Sequence, residues 1–342
     1  MTLFLRFALY MTSSIIKLLL KQFNPLTMLP CGHTAKIGII GAGFVGTTFA
    51  FAAMIKNLAA RIVLVDANQE KCEGEVMDLA HGLNFVETSQ IMHGNYQDLA
   101  DADAVVVCAG RGQRPGETRL DLLQDNVKIL KSILEEFKQL HNQTCILVIV
   151  ANPMDALTYV AKKLSGLPEN QVFGSGTVLD SSRLRFLLGE YFEVSSQSMK
   201  AYVFGEHGDS EFPVWSHANI GGKPLQDFAR YDAQKMEEIF QQTKNAAYEI
   251  IKRKNATYYG IALALTDIVE SILYDQNKVL PVSHTLADYY GTKDVCLSLP
   301  CVVCRRGIKE TLDIPLNEEE VQKLHSSATT LRQSLDSIQN LL

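Results

Sequence analysis

The feature that most constrains how this chain folds is a Gly-x-Gly-x-x-Gly run set between a strand-like and a helix-like segment. Lys36 to Ile40 is a short, β-branched-rich run, and Gly41-Ala42-Gly43-Phe44-Val45-Gly46 follows it at once. Small and apolar residues then continue to Ile55 at helical spacing, and a second apolar run, Arg61 to Val65, ends on Asp66. The three glycines allow a tight turn, the close approach of a pyrophosphate and tight helix packing. The N-terminus of the helix offers its free N–H groups to the phosphate. Asp66 stands 20 residues beyond Gly46, from where a carboxylate accepts hydrogen bonds from an adenosine ribose. Its charge repels a 2′-phosphate, and Ala67 and Asn68 bring no cation to offset that. The spacing predicts an NAD site, in preference to NADP, on Gly41, Gly43, Phe44, Val45, Gly46 and Asp66.

The same rhythm continues. Strands are expected at Ala104 to Cys108 and Cys145 to Val150, with helical patterns at Leu120 to Leu140 and near Met154 to Leu164. Short apolar runs alternating with helices indicate a parallel sheet with right-handed crossovers. After Gly174-Ser175-Gly176 the alternation stops. A helix from Asp180 to Leu188, a strand at Lys200 to Phe204, helices at 232–254 and 258–273 and strands near 277–285 and 295–303 read as mixed α+β. Asn317 caps a last helix whose first turn carries Glu318, Glu319 and Glu320, negative charge at the positive helix end. The expected fold is α/β: an N-terminal Rossmann, doubly wound parallel sheet over 35–175, followed by an α+β substrate domain over 176–342.

A net charge of −6 with 20% charged residues argues against binding to a phosphate backbone, which requires a basic face. The seven cysteines are scattered and odd in number, which fits a reducing, cytoplasmic setting. Cys72, Cys108 and Cys145 lie in apolar or strand-like stretches. Cys301 and Cys304 form a C-x-x-C without two further ligands at zinc spacing, so core packing is expected there and no metal. Residues 1–34 read as an extension of different character, expected to be disordered or not native. Acidic residues are absent until Asp66, and the uncharged run Phe7 to Ile16 is short of the about 20 residues that span a bilayer. If 3–22 were helical, Arg6, Ser13, Ser14, Lys17 and Lys21 would share an arc of roughly 100°. A membrane-surface helix, a targeting segment and a start upstream of a natural initiator at Met28 all stay open, and membrane contact follows only if the extension is native.

A second constellation carries the chemistry. Cys108-Ala109-Gly110-Arg111-Gly112-Gln113-Arg114-Pro115-Gly116-Glu117-Thr118-Arg119 leads from a strand end into a helix, a loop able to hinge over a strand-end crevice. Asn152 in Ala-Asn-Pro, the pair Asp180 and Arg183, and Gly205-Glu206-His207-Gly208-Asp209-Ser210 follow. Singly, His207 also reads as a structural histidine and Arg183 as a surface ion pair. Together with Pro-Gly-Glu-Thr-Arg-Leu-Asp-Leu at 115, Gly-Ser-Gly-Thr-Val-Leu-Asp at 174 and Ala-Thr-Tyr-Tyr-Gly-Ile-Ala at 256, these segments make the chain, from about Ala35 onward, resemble the L-lactate/malate dehydrogenase family, its bacterial lactate enzymes in particular.

That resemblance implies roles residue by residue. His207 resembles the acid/base that exchanges a proton with the carbonyl oxygen, and Asp180 its orienting partner. Arg183 resembles the planar fork for the substrate carboxylate. Arg119 resembles the loop cation at the developing oxyanion, and Asn152 a neutral hydrogen-bonding residue of the site. Thr257 and Ile261 match positions beside substrate and nicotinamide, and Gly110 a cofactor position. Malate enzymes of the family carry arginine where this chain has Gln113. A dicarboxylate would therefore bury an unmatched charge, so pyruvate and L-lactate are the expected pair, with the adjacent Arg114 expected to point outward. The rival readings are a malate or broad 2-hydroxy-acid dehydrogenase, an NAD-binding protein without turnover, and an NAD-dependent glycosidase. The four residues His207, Asp180, Arg183 and Arg119 count against the second, and the want of a metal-ligand cluster against the third. The resemblance also implies a homotetramer, though dimers occur among relatives. Some relatives are activated by fructose 1,6-bisphosphate through an arginine and a histidine at an interface, where this chain has Arg185 and Lys200.

Overall fold

The computed structural model describes residues 35–86, 90–112 and 119–341. The expected features of residues 1–34 lie outside them, as do Gln113 and Arg114. In chain order the first half runs β1 (Lys36–Ile40), α1 (Phe44–Ile55), β2 (Arg61–Val65), α2 (Gln69–His81), β3 (Gln90–His93), β4 (Ala104–Val107), α3 (Arg119–Lys138), β5 (Ile146–Ile149), α4 (Met154–Ser165) and β6 (Val172–Gly174). These six strands are all parallel, in the order β6-β5-β4-β1-β2-β3. The order reverses between β1 and β4, and ligands bind at such a reversal, outside the carboxyl ends of the strands. Buried on both faces, β1, β4 and β5 are continuous apolar runs without polar alternation, as parallel strands covered by helices must be.

The second half adds α5 (Val178–Phe192), the short strands β7 (Met199–Lys200), β8 (Val203–Phe204), β9 (Phe212–Pro213), β10 (Asn219–Ile220) and β11 (Lys223–Pro224), then α6 (Ala233–Lys254), α7 (Tyr259–Leu273), β12 (Lys278–Thr285), β13 (Cys296–Cys304), β14 (Gly307–Thr311) and α8 (Glu318–Asp336). The large sheet does not stop at the boundary expected near 175. β12 continues it antiparallel, with Ser283 opposite Gly174, and β13 and β14 extend it to nine strands. Residues 35–342 accordingly pack as one unit.

The turn geometry explains the glycine run. A Cβ on Gly46 would collide with the Gly41 carbonyl oxygen, and Gly41 itself holds φ +109 against the backbone of Ala109, so both positions require glycine. The expected strand at 200–204 divides at Ala201 into β7 and β8, which join two different small sheets. Cys72 lies on α2, not in a strand, although it is buried as expected. Cys301 and Cys304 are buried in β13, three residues apart and therefore on opposite faces of the strand. Asn317 accepts from the Glu320 N–H while the Glu320 side chain accepts from the Asn317 N–H, the expected cap extended to a reciprocal pair.

Candidate active site

Asp180 and Arg183 lie three residues apart on α5, so both project from the same face of one helix. Asp180 is almost wholly buried. Its Oδ1 accepts from Arg183 Nη1 at 2.8 Å, and its Oδ2 lies 2.6 Å from His207 Nδ1. His207 comes from the turn after β8, where Gly205 at φ +95 redirects the chain and exchanges backbone hydrogen bonds with Ser298 of β13. The Asp180 carboxylate pushes His207 up to about 9. Asp180 is held below the usual carboxylate range by His207 and Arg183, against its own burial. With the carboxylate holding the proton on Nδ1, Nε2 is the ring atom able to exchange one.

Three further buried polar residues belong to the segments that form the site, and sequence reasoning missed them. Asp155, in the first turn of α4 and 2% exposed, accepts from the His207 backbone N–H through Oδ2 at 2.7 Å and from Ser283 Oγ through Oδ1 at 2.5 Å. It thus ties together α4, the His207 turn and β12. Burial pushes it up to about 7. In sequence it reads as an ordinary first-turn acid; its one signal is that the helix around it is apolar. Asn126, buried on α3, accepts from Arg111 N–H at 2.9 Å and donates to the carbonyls of Arg111 and Asn152 at 3.1 and 2.6 Å. Glu211, just before β9, is also buried.

The nucleotide side assembles around the first turn of α1. That turn has neither a side-chain cap nor an acidic residue, and the space over Gly43 is open to 4 Å. An uncapped, open helix N-terminus suits a pyrophosphate. Asp66 Oδ2 accepts from the Ala42 N–H at 2.7 Å and Oδ1 from the Asn68 N–H at 2.8 Å. The carboxylate therefore shapes the glycine turn, and each oxygen keeps a lone pair for a ribose hydroxyl. These residues fit NAD. Val45 occupies the next position of the exposed α1 start, beside Phe44.

Close contacts bring the segments of the site together. A Cβ on Gly110 would lie 3.0 Å from Ala151 Cβ, which brings the loop after β4 against Asn152. The Phe44 ring stacks on Tyr258 at 5.3 Å, next to Thr257. Gly260 packs against Leu179, one residue before Asp180, and Ile261 follows on α7. Arg119 opens α3, and its side chain lies outside the described residues, so its meeting with His207 stays an expectation. Arg185 Nε donates to the Ser181 carbonyl at 3.1 Å, and Lys200 is exposed on β7. Asp180, His207 and Glu211 bring potential ligand atoms within 4.8 Å of one another. The imidazole and the Arg183 guanidinium lie beside the Asp180 carboxylate there as counter-charge.

Residues 35–174 match the family model for the NAD-binding domain of lactate/malate dehydrogenases, and residues 177–342 match that for its alpha/beta C-terminal domain. The chain belongs to the lactate/malate dehydrogenase family. Among relatives of this family member are an L-lactate dehydrogenase of Acetivibrio thermocellus, 47% identical over 89% of this chain and 97% of its own, and L-lactate dehydrogenase 1 of Clostridium acetobutylicum, 47% identical over 89% and 98%. Solved structures with the same fold include a lactate dehydrogenase from a Medee basin deep-sea metagenome, with TM-score 0.86, 40% identity, and 89% and 99% of the two chains covered. A ligand-bound minor L-lactate dehydrogenase from Enterococcus mundtii gives TM-score 0.86 and 39% identity over 89% and 98%. NAD is the cofactor of this family member, and its residues 35–174 are the part that matches the NAD-binding domain.

Proposed function

We propose that the protein is an NAD-dependent L-lactate dehydrogenase, interconverting pyruvate and L-lactate. One observation carries the reading: the Asp180 carboxylate shared between His207 Nδ1 and Arg183 Nη1. It puts a proton-exchanging nitrogen and a carboxylate-binding cation side by side. NADH, when bound, supplies the hydride. Arg183 pairs with the substrate carboxylate and so fixes which face of the carbonyl is presented. His207 gives its Nε2 proton to the carbonyl oxygen, and Asp180 stabilises the imidazolium before that transfer and orients the ring throughout. Asn152 donates to the same oxygen. Arg119 adds positive charge from the loop, and Thr257 and Ile261 close the pocket beside substrate and nicotinamide. Gly41, Gly43, Phe44, Val45, Gly46, Asp66 and Gly110 hold the dinucleotide.

Gln113 is the proposed selector against dicarboxylates. Parallel assays of NADH oxidation are expected to favour pyruvate over oxaloacetate by a wide margin, and Gln113→Arg to move the preference toward oxaloacetate. A wild-type preference for oxaloacetate would overturn the substrate assignment.

The proposed assembly is a homotetramer in a reducing, cytoplasmic setting. Phe51 and Ile55, about half exposed and four residues apart on α1, present an apolar face suited to a second copy. No described helix is long and apolar enough to cross a membrane. Six cysteines among the described residues are free.

Arg185 and Lys200 are the proposed remnants of a bisphosphate site, with lysine as a flexible point charge in place of imidazole. Activation by fructose 1,6-bisphosphate is expected to be weak or absent. Pyruvate saturation curves with and without the effector check this. A large fall in apparent KM at micromolar effector, abolished by Lys200→Ala, would contradict it.

A further inference from the structure

The backbone of the turn that carries His207 is gripped at three successive residues by three different elements. The Gly205 N–H donates to the Ser298 carbonyl of β13 at 3.1 Å, the Glu206 N–H to Ser327 Oγ of α8 at 2.7 Å and the His207 N–H to Asp155 Oδ2 of α4 at 2.7 Å. Ser298, Ser327 and Asp155 are buried, whereas Glu206 and His207 are only partly so. A turn with one side open has little packing to fix it, so these bonds set where the imidazole stands. The hold by Asp155 differs from the other two in what it connects. Asp155 lies three residues after Asn152, whose carbonyl accepts from Asn126 Nδ2 at 2.6 Å. Its second oxygen accepts from Ser283 Oγ of β12 at 2.5 Å. The carboxyl group therefore bridges the Asn152 segment and the His207 turn from a doubly bonded, fixed position. Burial pushes Asp155 up to about 7, yet a protonated carboxyl still has an oxygen to accept the His207 N–H while its hydroxyl turns to Ser283. The bridge holds in either charge state.

We propose that Asp155 is a positioning residue for the reaction, a strut that sets the His207 turn against the Asn152 segment by accepting a hydrogen bond and not by its charge. Asn152 and His207 converge on one substrate oxygen, so the separation of their two segments decides whether both reach it together. The inference rests on the reading that these two residues act on the carbonyl of a 2-oxo acid.

The test compares Asp155→Ala and Asp155→Asn with wild type, with kcat for pyruvate counted per NADH-binding site. The alanine removes the strut, and kcat should fall about a hundredfold, the scale of a small misplacement of reacting groups, with pyruvate KM and NADH affinity little changed. The asparagine should recover most of that loss. Its Oδ1 accepts the His207 N–H, and its Nδ2 donates to the Ser283 hydroxyl, which accepts as readily as it donates. An asparagine variant as slow as the alanine one would assign the effect to charge. An alanine variant with near-wild-type kcat would leave the strut without a role, and a parallel loss of kcat, pyruvate KM and NADH affinity would mark a general loosening. Each of these three results overturns the proposal. Amide hydrogen exchange of wild type gives a second readout that does not need a variant to fold. The amides of residues 205–207 should exchange slowly, because each is bonded to a buried acceptor, and exchange at the rate of an unbonded loop overturns the proposal even if pyruvate is turned over. Failure of wild type to turn over pyruvate with those amides protected counts against the function instead.

Discussion

His207→Asn is expected to lower kcat for pyruvate by about 10²–10⁴-fold, the range that a positioned acid/base contributes, while leaving NADH affinity nearly unchanged. The side-chain amide still reaches toward Asp180 but has no proton to give at neutral pH. The affinity should hold because the nucleotide elements, the α1 start and Asp66, do not touch the His207 side chain. Stopped-flow turnover with NADH fluorescence titration separates the two effects, and a variant with near-wild-type kcat would remove His207 from the chemistry. The pH profile carries the sign. Pyruvate reduction needs the imidazolium, present below the His207 pKa of about 9, so it should fall as pH rises through that value. Lactate oxidation needs the neutral ring and should rise through the same region. A pyruvate profile rising through that region would mean another group supplies the proton.

Arg183→Lys is the second large effect. The substitution keeps the charge but loses the planar fork, and the geometry gives a particular reason for the loss. Arg183 commits Nη1 to Asp180 Oδ1 at 2.8 Å and still has other N–H groups for a substrate carboxylate. A single ammonium cannot hold both partners in one plane. The expected cost is about 3–5 kcal/mol in kcat/KM, the scale of a broken buried ion pair, or roughly a hundredfold or more. Because Asp180 also loses a partner, the His207 profile should shift as well. A change below tenfold would mean that the substrate carboxylate is bound elsewhere.

How much of this was legible in the sequence varied with the range of the interactions. The glycine turn, the strand before it and Asp66 are local features, because steric demands on Gly41 and Gly46 arise within one β-α unit. The elements β1, α1, β2 and α4 therefore lie within a residue or two of where periodicity places them. The weakly patterned α2, the short β3, β6 and β14 and the break inside 200–204 escaped. Short strands depend on their partners more than on their own residues. β14 forms because β13 offers it an edge, and β7 and β8 diverge because each finds a different neighbour.

The sequence alone determined the nucleotide half, the preference for NAD and, through residue types at matching positions, the identities of His207, Asp180, Arg183 and Gln113 as candidates. Only the tertiary structure decided which buried polar groups support them. Asp155 precedes His207 by 52 positions and Ser283 by 128. Nothing local to any of the three says that one carboxylate bonds a backbone N–H and a hydroxyl from two other elements. The same holds for Glu211, whose surroundings come from α5 and α6 as much as from its own loop. The physical reason is dielectric. A carboxyl's charge state depends on what excludes water from it and which charges replace that water, and both are set by segments distant in the chain.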